Sequence, residues 1–274
     1  MAAIDIGSNG ARLLIKNVKE DTMGNVEFTK VLFLRIPLRL GKDVFTLGEI
    51  SEERERMMMC MIKSYKQLMK LYNVERYRAC ATSAMRDAKN GVKILKKIRK
   101  ETGIDIEILN GSEEAKILYN NSIESAESVS GNYAYVDVGG GSTEISLLSD
   151  GKLVGSCSYN IGTLRLLSGA VSPDVIDTMR SDLTVYAKEY PGTSIVGSGG
   201  NINKLSRMFH ESSKKSKNNV LPVKNLQQIH DEIKPLTVAE RIAKYGLKPD
   251  RADVIIPSAE IFLNVALALN CTEV

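Results

Sequence analysis

The pattern of apolar and polar positions sets out two similar series of short strands and amphipathic helices. Ala3-Ile4-Asp5-Ile6 and residues 12–18 are apolar, β-branched runs on either side of the small-residue turn Gly7-Ser8-Asn9, and residues 26–36 alternate as a third strand after Met23-Gly24-Asn25. Residues 40–50 read as a glycine-containing loop. Ser51 then fits a helix N-cap, with Glu52 and Glu53 in the first turn of a helix reaching about Tyr72. Its Met57, Met61, Ile62, Tyr65, Leu68 and Met69 recur at helical spacing, and a methionine stripe of this kind is far more often core than binding surface. A strand at residues 77–81, a basic helix at 92–101, a strand at 105–109 and a helix capped by Ser112 complete a β-β-β-α-β-α order. That order suggests a ribonuclease-H-like unit.

The polar stretch 124–132 reads as a linker, after which the order restarts. Strands at 133–137, 144–148 and 152–159 are followed by helices from Thr163 and Pro173. A strand at 194–196 then meets the turn Gly197-Ser198-Gly199-Gly200-Asn201 and another helix. The reading is an α/β chain of two ribonuclease-H-like domains, 1–125 and 126–274, duplicated in architecture rather than in sequence.

Chemistry concentrates in the two turns, Asp5-Ile6-Gly7-Ser8-Asn9 and Asp137-Val138-Gly139-Gly140-Gly141-Ser142-Thr143-Glu144. Glycine lets backbone N–H groups come close to an anion, and consecutive N–H groups form a nest for phosphate. An aspartate beside each turn can hold Mg²⁺. Asp-x-Gly alone is also ordinary hairpin chemistry; two copies in the same strand–turn–strand setting favour a polyphosphate held from both sides.

Composition narrows the field. Hydrophobic residues make up 43% and charged residues 26%, ordinary for a soluble globular protein, and the net charge of +4 mildly favours an anionic ligand. With 5% aromatic residues and no basic stripe interleaved with them, nucleic acid is not expected. Cys60, Cys80, Cys157 and Cys271 form no Cys-x-x-Cys pair, which suits a reducing cytoplasm. Asp5 interrupts the first apolar run, so no signal peptide is legible, and residues 254–269 are too short to span a bilayer. His210 and His230 read as surface histidines, and lysine-rich residues 212–219 as a solvated loop.

Seven motifs in order carry a resemblance: Asp5-Ile6-Gly7-Ser8-Asn9; Thr82-Ser83-Ala84-Met85-Arg86-Asp87-Ala88; Gly111-Ser112-Glu113-Glu114-Ala115; the segment Asp137 through Glu144; Gly162-Thr163-Leu164-Arg165-Leu166; Gly197-Ser198-Gly199-Gly200; and Arg251-Ala252-Asp253-Val254-Ile255-Ile256-Pro257. Along nearly its whole length the chain resembles the exopolyphosphatase and guanosine pentaphosphate phosphohydrolase family of the actin-like ATPase superfamily. The resemblance implies two ribonuclease-H-like domains flanking a cleft and Mg²⁺- or Mn²⁺-dependent hydrolysis of a terminal phosphoanhydride.

Carried over residue by residue, it implies Glu114 as catalytic base, Asp137 and Glu144 as catalytic, metal-associated acids, and Asp5 as their pseudo-symmetric metal partner. Gly7, Ser8, Asn9, Arg86, Gly139, Gly140, Gly141, Ser142 and Thr143 would bind phosphate, and Gly197, Ser198, Gly199, Gly200 and Asn201 would lie on the nucleotide side. The implied substrates are inorganic polyphosphate or guanosine pentaphosphate, with Lys204, Arg207, Lys214, Lys215 and Lys217 as candidates for the distal chain. A homodimer is left open.

Two departures stand out: Gly10 replaces the family's usual serine, removing a hydroxyl near phosphate, and Asn201 replaces threonine. The family's usual continuation, a strand and a Gly-Leu segment, is expected beyond Val274. An actin-like kinase or switch, or a non-catalytic polyphosphate binder, remain the competing readings.

Overall fold

The structure, a computed structural model, describes residues 1–20, 24–126, 130–213 and 220–274. It divides into two compact units, Met1–Asn110 and Gly111–Val274.

In the first unit the order is β1 (Ala2–Ile6), β2 (Ala11–Glu20), β3 (Val26–Ile36), α1 (Leu40–Leu47), α2 (Glu52–Leu71), β4 (Tyr77–Ala81), α3 (Ser83–Asp87), α4 (Gly91–Thr102) and β5 (Glu107–Ile108). The strands form one sheet in the order β3-β2-β1-β4-β5, with β1 antiparallel to β2 and parallel to β4. The period-two alternation has its expected effect: Ala2, Ile4 and Ile6 are buried while Asp5 lies on the opposite face. There Asp5 sits opposite Arg12, and Arg12 opposite Arg35, so the three form a row across β1, β2 and β3. On α2 the Tyr65 hydroxyl donates to the Ala11 carbonyl at 3.4 Å. Burial, helped by the nearby Asp5 charge, pushes this phenol up to about 12.

Three expectations change here. Residues 40–50 are mostly helix: α1 buries Leu40, Val44 and Phe45 and stops at Gly48, whose φ of 78° is left-handed. Asp43 fastens α1 to the start of α2, accepting from the Ser51 hydroxyl at 2.5 Å and from Arg54 Nε at 2.7 Å. In the methionine stripe, Met57 is exposed and Met58 takes its place in the core. The strand expected at 105–109 shrinks to the two residues of β5.

The second unit runs α5 (Gly111–Ala126), β6 (Asn132–Val138), β7 (Thr143–Ser149), β8 (Lys152–Tyr159), α6 (Thr163–Leu167), α7 (Pro173–Glu189), β9 (Ser194–Ser198) and α8 (Gly200–Ser213). It ends with α9 (Val223–Ile233), α10 (Val238–Tyr245), α11 (Pro249–Ala252) and α12 (Ile255–Ala268). Its sheet, β8-β7-β6-β9, repeats the first four positions of the other, with β9 parallel to β6 as β4 is to β1. The boundary falls at 110/111, earlier than the expected 125/126, because α5 packs on β7 and β8 and belongs to the second unit. Ser112 lies inside α5 and does not cap it.

The apolar stretch near the end is α12. It buries Phe262, Val265 and Ala266 and packs against α6, α7, α8 and α9. His230 is buried, correcting its reading as a surface residue: its ring nitrogens lie 2.9 Å from Asp231 Oδ1 and 3.2 Å from Glu260 Oε1, tying α9 to α12. Among the described residues no helix is long and apolar enough to cross a membrane. Met23, residues 127–129 of the expected linker, and Lys214, Lys215 and Lys217 lie outside the described residues.

Candidate functional site: two glycine turns

The first turn joins β1 to β2 and is closed by Gly7 N–H donating to the Gly10 carbonyl at 3.1 Å. Its other carbonyls are held from the direction of α1: Gly41 N–H donates to Ser8 O at 2.8 Å and Arg39 N–H to Asn9 O at 3.0 Å. In a trans peptide the N–H points opposite to the C=O, and the chain has no cis bond. The amides of Asn9 and Gly10 therefore point away from α1. The buried Ser8 hydroxyl is engaged with the Ser83 hydroxyl of α3 at 2.8 Å, so it braces the turn. Asp5 Oδ2 accepts from Arg12 Nη1 at 2.6 Å. A cation at Asp5 competes with that guanidinium.

The second turn repeats the device. Gly139 N–H donates to Ser142 O at 2.9 Å. Thr163 N–H holds the Gly139 carbonyl at 3.0 Å, Leu164 N–H the Gly140 carbonyl at 2.8 Å, and Arg165 Nε the Gly141 carbonyl at 2.7 Å. By the same peptide geometry the amides of Gly140, Gly141 and Ser142 point away from α6, three in succession, as an anion nest requires. A Cβ on Gly162 would stand 2.4 Å from Gly141 N, so only glycine lets α6 seat behind the turn. Thr143 is fully buried and its hydroxyl donates to the Ile161 carbonyl at 2.6 Å. The Thr143 hydroxyl thus holds the chain that leads into α6.

Beside this turn Asp137 on β6 stands directly opposite Glu144 on β7. Opposed residues of an antiparallel pair have Cβ atoms about 4.5–5.5 Å apart, and like charges there repel. Glu144 is nevertheless buried, with 3% of its surface exposed, and Oε1 accepts from the Ser158 hydroxyl at 3.0 Å. Ser158 in turn touches the start of α5: a Cβ on Gly111 would lie 2.6 Å from Ser158 Oγ. The first turn of α5 is therefore packed beside the Glu144 partner, and within it Glu113 is exposed while Glu114 Oε2 is buried. Burial separates the two glutamates on structural grounds.

On the far side of Asp137, Gly199 adopts φ 108° and its absent Cβ leaves room 3.3 Å from Asp137 Oδ1. Ser198 is the β9 partner of Asp137. Gly197 packs against Ile202, Phe262 and Val274, and the Arg251 guanidinium lies over Gly200 and donates to its carbonyl at 3.2 Å. Asn201 stands at the start of α8. In the first unit Arg86 Nη1 donates to the Leu109 carbonyl at 2.6 Å, so part of this guanidinium anchors the end of β5. Among the described residues no three His, Cys, Asp or Glu side chains gather as a metal cluster. Ser83 and Arg165, which stand in the quoted motifs without an assigned role, support the two turns, as does Ser158, the β8 ladder partner of Glu144 that the sequence reading did not single out.

The sequence matches the Ppx/GppA phosphatase family over residues 18–274. It is 27% identical over 277 residues to exopolyphosphatase 2 of Mycobacterium tuberculosis, covering 93% of this chain and 86% of that protein. It is also 36% identical over 170 residues to a bifunctional 3-dehydroquinate synthase/phosphatase of Fusobacterium nucleatum, covering 60% of this chain and a quarter (25%) of that longer protein. Among solved structures, the Ppx/GppA family member of Aquifex aeolicus superposes with a TM-score of 0.74 at 26% identity, covering 100% of this chain and 91% of the other. An exopolyphosphatase from Cytophaga hutchinsonii shares the fold, with a TM-score of 0.84 at 21% identity over 99% of this chain and 91% of that one.

Proposed function

The chain belongs to the Ppx/GppA phosphatase family and is a phosphoanhydride hydrolase of actin-like fold, and on that premise we propose that it releases the terminal phosphate of inorganic polyphosphate with Mg²⁺ or Mn²⁺. The observation that carries the reading is the facing pair Asp137 and Glu144 beside three outward amides. The pair fits a divalent ion. It supplies hard carboxylate oxygens, a bound cation relieves the repulsion between them, and Mg²⁺ is commonly held by one or two carboxylates with phosphate and water completing the shell. A two-carboxylate set is also consistent with the lack of a three-residue cluster among the described residues. When bound, the ion neutralises charge on the transferring phosphoryl group.

The remaining steps belong to the chain. The amides of Gly140, Gly141 and Ser142 take phosphate oxygens and keep the charge that develops on them in place. The Glu114 carboxylate accepts a proton from the attacking water, and Arg165 and α6 hold the turn from behind. Polyphosphate is placed ahead of guanosine pentaphosphate because Gly197 is filled by packing and Gly200 covered by Arg251, where a nucleoside would rest. The four unpaired cysteines suit the reducing cytoplasm.

The test is phosphate release from long polyphosphate, guanosine pentaphosphate, ATP and pyrophosphate, with and without chelator. The expected result is release from polyphosphate that stops with chelator and returns with Mg²⁺ or Mn²⁺. Full activity in excess chelator removes the metal, and faster release from guanosine pentaphosphate reverses the substrate order.

A further inference from the structure

Helix α6 has two sides. Its amides hold carbonyls of the second glycine turn, while Leu166 and the preceding Ile161 line a cavity of about 390 Å³ closed by α7, α9 and α12. That volume is in the range of sites for small molecules. Ile161, Met179 and Ile261 are buried and give the cavity an apolar floor. One wall is polar, with Gln227, His230 and Lys234 of α9 beside Glu260 and Asn264 of α12.

The donors of this wall are engaged. Both ring nitrogens of the buried His230 lie against carboxylates, those of Asp231 and Glu260. Gln227 Nε2 donates to Asp231 Oδ1 at 2.8 Å, and Asn264 Nδ2 to the Glu260 carbonyl at 2.7 Å. Lys234 Nζ donates to Glu260 Oε1 at 3.3 Å and, with 59% of its side chain exposed, gives its other hydrogens to water. The acceptors are only partly used. Among the described residues neither Glu260 Oε2 nor Gln227 Oε1 receives a hydrogen bond. A guest here must supply hydrogens rather than lone pairs, and an ammonium group meets a carboxylate with the stronger, charged bond. The floor favours an apolar body on the same guest.

We propose that this cavity binds a small primary amine with an apolar body, its ammonium donating to Glu260 and its body resting on Ile161, Met179 and Ile261. The site is separate from the two glycine turns and stands whether or not the chain hydrolyses polyphosphate.

The probes are hexylamine, hexanol and hexanoate, which share one apolar chain and differ in the charge of the head. Each is titrated by calorimetry into the whole protein at neutral pH, where the amine is protonated as lysine is. Hexylamine is expected to bind roughly 10–100-fold more tightly than hexanol, the range for a charged hydrogen bond, and hexanoate no more tightly than hexanol. Glu260→Gln keeps the shape of the wall and removes its charge. It should bring hexylamine down to the affinity of hexanol while leaving hexanol unchanged, a selective loss that a merely structural role does not produce. Leu263→Trp, at a half-buried lining position, fills the cavity and should abolish binding of both.

Melting curves accompany each variant, and if either unfolds, the order of the three probes on the wild-type protein decides. Hexylamine bound no more tightly than hexanol or hexanoate overturns the site. Hexylamine binding that survives Leu263→Trp places the amine elsewhere, such as on the carboxylates of Asp137 and Glu144, and overturns it as well. Equal affinity of wild type and Glu260→Gln for hexylamine removes Glu260 as the partner, with the same consequence.

Discussion

The turn after β1 and the turn after β6 share a closing hydrogen bond, carbonyls held by the following helical segment, and an aspartate on the strand leading in. They part at the residue opposite that aspartate. Asp5 faces Arg12, an opposite charge at 2.6 Å, whereas Asp137 faces the buried Glu144. The difference teaches that the backbone device and the electrostatics are separable. Both turns aim amides outward, but the residue across the ladder differs in sign, a guanidinium opposite Asp5 and a second carboxylate opposite Asp137. One architecture, used twice, thereby sets an ion pair beside the first turn and a pair of carboxylates beside the second.

The largest test of that division is the base. Glu114→Gln keeps size and polarity but removes proton acceptance, and kcat is expected to fall by roughly 10²–10⁴-fold, whereas Glu113→Gln, exposed beside it, changes kcat little. Steady-state phosphate release checks this. Near wild-type turnover by Glu114→Gln returns both glutamates to the role of balancing the dipole of α5.

Next comes a residue that touches the acid rather than the substrate. Ser158→Ala removes the donor to Glu144 Oε1, and losing such an outer partner typically weakens metal affinity about 10–100-fold. The Mg²⁺ concentration giving half activity should rise accordingly. An unchanged Mg²⁺ requirement would detach Ser158, and with it Glu144, from the metal.

Why the sequence disclosed some of this and not the rest follows from particular residues. The turns were legible because glycines and an aspartate act within a few positions of each other. Helix α1 was hidden because Gly41 and Gly48 punctuate a short segment whose apolar Leu40, Val44 and Phe45 look like scattered loop residues. Arg35 was hidden by register. Near the open end of the β2–β3 ladder Glu20 pairs with Val26, and counting back from there would set Arg12 against Leu34. The irregularity between Ile15 and Lys16 shifts the pairing by one, placing Arg35 opposite Arg12 and on its face. His230 was misread because its partner Glu260 lies on another helix.

A smaller effect sharpens how the first turn is held. Burial by itself raises the Asp43 carboxyl, but the Ser51 hydroxyl, Arg54 and the Ser51 amide outweigh it and keep the group below its ordinary 3.8. A depressed folded value means the stabilisation is fully present above pH 3.8 and is lost as pH falls through the lower folded value. Asp43→Asn should therefore cost about 1–3 kcal/mol near neutrality, with a loss that narrows in acid. Denaturant midpoints measured at neutral pH and below 3.8 check it. A loss that is the same at both pH values would make the bond to Arg54 a matter of shape rather than charge.

The smallest expected effect is also the most direct reading of the two turns, because its sign differs between them. Asp5→Asn removes an attraction to Arg12, and since both side chains are about half exposed (43% and 51%) the loss of stability is small, about 0.2–1 kcal/mol. Asp137→Asn removes a repulsion from Glu144, so without metal it should stabilise the fold by a similar few tenths to about 1 kcal/mol. Melting curves in chelator at low salt would show the two midpoints moving in opposite directions, with the Asp5 shift shrinking as salt is added. Adding Mg²⁺ should then raise the wild-type and Asp5→Asn midpoints, because a ligand that binds only the folded state stabilises it, and leave Asp137→Asn nearly unmoved. If both substitutions shift the midpoint the same way in chelator, or if Mg²⁺ stabilises Asp137→Asn as strongly as wild type, the cation does not sit between Asp137 and Glu144, and the contrast between the turns loses its electrostatic basis.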